Sequence, residues 1–126
     1  MKVKIERIGD SNFVEVSSEY GAFNGYWCEN TSPIPNQDYY VELDILQKYS
    51  ISDFMVNECT ATKIETTNST IQITGFAKYF DDDVLYIQLG TSLLAVEIEN
   101  DYSFLSLMNK YVTFHTDQIN LYDTAL

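Results

Sequence analysis

Positive charge is scarce in this chain. Seven Lys and Arg stand against 19 Asp and Glu, a formal net charge of −12 over 126 residues. A surface this acidic repels phosphate backbones and anionic lipid headgroups, so neither nucleic acid nor a membrane surface is expected as a partner. The same field draws in basic partners. Only one histidine, His115, is present, so a hydrolase of the Ser-His-Asp or Cys-His kind would have to be built on it. No nucleophile elbow, P-loop, dinucleotide fingerprint or HExxH lies anywhere in the chain.

Cysteine and long apolar runs are scarce too. Cys28 and Cys59 sit singly in unrelated segments, without the paired spacing of a zinc or redox motif, and read as two buried thiols in a reducing compartment. No stretch approaches the roughly 18 apolar residues of a membrane-spanning helix. The start, Met1-Lys2-Val3-Lys4-Ile5-Glu6, alternates charge with apolar side chains and lacks the apolar core of a secretory signal. A cytoplasmic location follows as an expectation. Both prolines fall in Pro33-Ile34-Pro35, which makes residues 30–38 a surface loop.

What the chain does hold is β-branched and aromatic side chains, including 10 Tyr and 7 Phe, at strand spacing. Residues 70–99 organise the rest: two strands close over Asp81-Asp82-Asp83, and a third returns after the turn at Leu89-Gly90-Thr91-Ser92. Residues 2–8 and 13–17 read as a hairpin around Gly9-Asp10-Ser11-Asn12, and their tight connection makes them antiparallel neighbours. In 18–30 the two glycines suggest a bent or bulged strand, with Phe23, Tyr26 and Trp27 read as core. Residues 39–46 send Tyr39, Val41, Leu43 and Ile45 to one face and Tyr40, Glu42 and Asp44 to the other. Residues 49–58 fit either a short helical turn or a plug capping a barrel. Residues 60–66 and 70–77 pair through Thr67-Asn68-Ser69. A short helix is expected near 101–109, capped by Asn100 or Asp101, and 111–116 and 118–122 close the structure.

The fold class these strands predict is all-β, a single antiparallel domain over residues 1–126 forming a small barrel or sandwich, with an OB-like outline among the possibilities. OB surfaces that bind single strands need basic grooves, and those are missing here.

Chemistry is sparse. Three consecutive carboxylates at 81–83 could ligate a hard cation, but without the alternating ligands or the glycine of an EF-hand loop they read as a solvated hairpin tip, so no metal is expected. Carboxylate pairs such as Glu42 with Asp44, or Glu97 with Glu99, occur on any acidic strand face and carry no specificity for acid–base catalysis. Neither a catalytic residue nor a cofactor is assigned.

The surface provides the functional expectation. Glu42, Asp44, Asp81, Asp82, Asp83, Glu97, Glu99 and Asp101, with Tyr40 and Tyr86, and with Tyr79 and Tyr102 nearby, are the candidate partner-binding residues. Aromatic anchors within a charged rim suit a tight protein interface, and a negative field speeds encounter with a cationic target. The expected function is that of a non-enzymatic inhibitor or immunity-type protein, bacterial or phage-encoded, monomeric or weakly dimeric. It would occlude the cleft of a basic toxin, nuclease or defence enzyme. The alternative is an accessory β-barrel module that binds a small ligand or completes a larger assembly.

Overall fold

The computed structural model describes residues 1–124. Its strands are β1 (Lys2–Ile8), β2 (Phe13–Ser18), β3 (Gly21–Trp27), β4 (Asp38–Asp44), β5 (Lys48–Tyr49), β6 (Met55–Val56), β7 (Lys63–Thr67), β8 (Thr70–Asp81), β9 (Val84–Leu89), β10 (Ser92–Ile98), β11 (Lys110–Thr116) and β12 (Asn120–Asp123). Alternation decides most of them. In β10, Leu94, Val96 and Ile98 are buried while Leu93, Ala95 and Glu97 face out, so one side of the strand is dry and the other wet. Turns fall where short polar residues accept a left-handed backbone, at Ser11 and Asn12 (φ 55° and 68°), Asn68 (57°), Asp82 (53°) and Gly90 (62°).

The chain folds as all-β, in two curved sheets that share one apolar core. The first sheet is a closed barrel in the order β1-β2-β3-β12-β4, with β4 returning to pair with β1. Its neighbours are antiparallel except β12 on β3, which is parallel. This is a five-stranded Greek-key closure, the outline shared by OB barrels. Val3, Ile5, Val14, Val16, Phe23, Trp27, Val41 and Leu121 fill it. The Trp27 indole N–H donates to the Thr31 carbonyl at 2.8 Å, so its polar end is satisfied.

Residues 45–119 leave the barrel between β4 and β12 and build the second sheet, in the order β5-β10-β9-β8-β11-β6 with β7 on β8. β8 is long enough to take β7 against residues 70–74 and β9 against 76–81 along one edge. The switch falls at Gly75, where a Cβ would stand 2.6 Å from Ile87 Cγ2 and 2.7 Å from Leu89 Cδ2. The edges β5 and β6 do not pair with each other. One short segment joins them through a 3-10 turn, Ile51–Asp53, and drives Tyr49 and Phe54 into the gap. Both rings pack on Phe114, with centroids 5.3 and 5.2 Å away, and Phe54 also meets Phe104 at 5.7 Å. The Tyr49 hydroxyl donates to the His115 carbonyl at 2.7 Å. Residues 49–58 are thus turn and plug together.

Four expectations are corrected. Tyr26, read as core with Phe23 and Trp27, is 36% exposed, because alternation in β3 turns it to the opposite face. The segment near 101–109 forms a 3-10 helix, Tyr102–Leu107, not an α-helix: Phe104 and Leu107, three apart, eclipse in that geometry and both reach the core. Its N-cap is Asp101, which accepts the Ser103 amide at 2.9 Å. β3 is not bulged, since its register with β2 runs unbroken. The irregularities lie in β1 between Ile5 and Arg7 and in β8 between Ala77 and Tyr79. Gly21 answers a close approach instead, because a Cβ there would collide with the Ile64 carbonyl where β7 crosses to meet the barrel. Finally, Cys28 and Cys59 are exposed. Trp27 points inward, so alternation turns Cys28 outward, and Cys59 lies in the connection between β6 and β7.

Candidate functional site

The acidic tip is built by hairpin geometry. β8 ends at Asp81 and β9 begins at Val84, leaving a two-residue turn with Asp82 in the left-handed region that Asp tolerates. The Asp83 carbonyl accepts the Ile98 amide at 2.8 Å, which ties the tip to the end of β10. There Glu97 is the register partner of Val84, and the Glu99 amide donates to the Tyr49 carbonyl at 2.9 Å. Asp101 follows two residues on. Asp81, Asp82, Asp83, Glu97, Glu99 and Asp101 therefore crowd one end of the second sheet, all of them exposed.

Little neutralises them. The ion pairs among the described residues, Lys2 with Asp38 and Arg7 with Glu15, both lie on the barrel. Near the tip, Lys48 stands opposite Glu97 in register and Lys78 occupies the β8 bulge, and neither closes a salt bridge. Asp101 is held below the usual carboxylate range chiefly by the Ser103 amide and then by the Ser103 hydroxyl. Among the described residues no group of three or more acidic, His or Cys side chains is placed to hold a metal ion.

Aromatic rings adjoin the acids. Tyr79 and Tyr86 are register partners on the outward face and stack with centroids 4.6 Å apart and planes inclined by 25°. Tyr102, beside Asp101, is 82% exposed. Next along the same face, Phe76 meets Tyr111 edge-on at 5.5 Å. That second pair went unrecognised in the sequence. Alternation gives the faces of Phe76 and Tyr111, but their pairing depends on β11 returning to β8 across more than thirty residues.

Tyr40, Glu42 and Asp44 stand apart from the other candidates. They lie on the outer face of β4, in the barrel. Glu42 borders a cleft of about 220 Å³ lined by Val41, Leu43, Leu89, Leu93 and Leu94. That places it beside the start of β10, whereas Glu97 and Glu99 mark its end, roughly 20 Å away at the rise of an extended strand. Asp44 joins a second neighbourhood with Cys28, Glu29 and Tyr122, where the Tyr122 phenol is pushed up first by Cys28, then by burial and the nearby carboxylates. His115 lies exposed on β11 opposite Gln72.

A larger cleft, about 400 Å³, opens beside Trp27 and Tyr39 and is rimmed by Glu29, Asn30, Thr31, Ser32 and Asp123. It is a surface feature. The barrel interior itself is filled by side chains.

The fold and surface thus define an all-β protein in which a closed barrel carries a curled sheet with an acidic, tyrosine-flanked end. Comparison with protein-family models, curated proteins and solved structures finds no match.

Proposed function

We propose that this chain is a non-enzymatic, acidic binding protein of the inhibitor or immunity type, acting in the cytoplasm, which covers the active cleft of a basic toxin, nuclease or defence enzyme. The observation that carries this reading is the crowding of Asp81, Asp82, Asp83, Glu97, Glu99 and Asp101 at one sheet end, without ion pairs among the described residues and beside the Tyr79–Tyr86 stack. Carboxylates at a hairpin tip act as a fixed row of negative charge, which a cleft evolved for phosphates attracts. Such fields raise association rates by about 10- to 1000-fold at low salt. Tyrosines next to them supply rigid contact area at low entropic cost. The partner is a basic protein, engaged by a monomer of this chain, and inhibition comes from occlusion.

The test is affinity capture from a native host, run in parallel with the wild-type chain and the D81K/D82K/D83K variant. The expected catch is a basic enzyme that the wild-type chain inhibits and the variant does not. An acidic partner, or equal capture by both chains, overturns the proposal.

A further inference from the structure

We propose that the outward face of the β11-β8-β9-β10 sheet is the docking surface, and that it receives arginine side chains of the partner, laid flat on Tyr79 and Tyr86. This deepens the proposed function and rests on it. Along that face, one row across the strands holds Tyr111, Phe76, Gln88 and Leu93, and the next holds Tyr79, Tyr86 and Ala95. Half-exposed apolar side chains on the wet side of the sheet, Tyr79 at 45% among them, form a patch, and at its far end Leu93 borders the cleft it shares with Val41 and Leu43 of β4.

Charge complementarity chooses the occupant. One row beyond the tyrosine stack the same face carries Asp81 on β8 and Glu97 on β10, both register partners of Val84. Rows on one face are about 7 Å apart, the reach of a guanidinium that rests on a ring while its N–H groups point at a carboxylate. The bulge between Ala77 and Tyr79 sets Lys78 beside the stack, and Lys48 stands across from Glu97. With Lys110, the register partner of Ala77, three ammonium groups stand against Asp81, Asp82, Asp83, Glu97, Glu99 and Asp101, so the rim stays negative. A planar, weakly hydrated guanidinium stacks on aromatic rings and donates two parallel N–H bonds to a carboxylate, whereas a lysine ammonium is a strongly hydrated point charge. The surface therefore discriminates between the two cations, which an acidic field alone does not do.

The test titrates the full chain with an octa-arginine peptide and, separately, an octa-lysine peptide, following amide NMR shifts and binding constants. Octa-arginine should bind several-fold tighter, with shifts centred on Phe76, Tyr79, Tyr86 and Tyr111. Y79T/Y86T, which keeps strand-forming residues, should weaken octa-arginine about fivefold and leave octa-lysine nearly unchanged, while Y79F/Y86F stays close to wild type. Equal affinity for both peptides, with no response to Y79T/Y86T, overturns the arginine surface while leaving the acidic-tip proposal standing. If neither peptide binds and D81N/D82N/D83N changes nothing, the acidic-tip reading falls and this inference with it.

Discussion

Barrel and curled sheet carry equal surpluses of acid and dispose of them differently. The barrel segments, residues 1–44 and 120–124, hold three basic and nine acidic residues, and residues 45–119 hold four and ten. In the barrel, two of the three cations are tied into ion pairs through β1. In the sheet the lysines are spread over β5, β7, β8 and β11, and six carboxylates gather at one end without an ion pair among the described residues. Net charge therefore does not locate the acidic end. What locates it is which acids the topology brings together and which cations it keeps away.

Closure differs as well. The barrel is sealed by a backbone ladder from β1 to β4, whereas the sheet leaves two short edges bridged by Tyr49 and Phe54. A seal made of rings is far more sensitive to a single side chain. Phe54→Ala should cost about 3–5 kcal/mol, the usual loss for a buried aromatic. Hydrogen exchange should then speed first in β5, β6, β10 and β11 while the β1–β4 ladder stays protected. Uniform loss of protection would mean that the two halves are one cooperative unit.

Binding comes next in size. D81K/D82K/D83K should slow association with the basic partner by at least about tenfold, and it should also cost about 1 kcal/mol of stability, because Asp82 holds a left-handed backbone that Lys tolerates less well. The matched barrel variant E42K/D44K should do much less, as measured by stopped-flow kinetics. A smaller effect tests the plug: Tyr49→Phe keeps the ring but loses the bond to the His115 carbonyl, for about 1 kcal/mol in urea unfolding.

The smallest effect concerns the cap. Asp101 has a lowered pKa in the folded chain, so its stabilising contribution is present above the ordinary carboxylate value and fades as pH falls through the folded one. D101A should lower the melting temperature at neutral pH, and the difference from wild type should vanish in acid. D101N, which still accepts the Ser103 amide, should show no such pH dependence.

Much of this is legible in the sequence. Alternation in residues 39–46 and 84–98 gave strands and faces, and Asp81-Asp82-Asp83, Thr67-Asn68-Ser69 and Gly90 marked turns by chemistry that acts over a few residues. Long-range pairing was not legible. That β12 slides in parallel beside β3, or that Glu42 and Asp44 belong to another sheet than Glu97 and Glu99, depends on closures across dozens of residues that no local pattern encodes. Cys28 was misjudged because composition favours buried thiols, while its direction is set by the Trp27 beside it. The helix near 101–109 failed over a single spacing: i to i+3 suits 3-10 and α geometry alike, and capping does not separate them.

The central claim is that the sheet-end carboxylates, not the charge of the whole molecule, steer a basic partner. The direct measurement is the association rate with that partner across ionic strength for wild type, D81N/D82N/D83N and the barrel variant E42Q/D44N. The account predicts that neutralising the tip flattens the salt dependence substantially, while neutralising the barrel acids leaves it close to wild type. Equal flattening by both variants, or none by either, would contradict it.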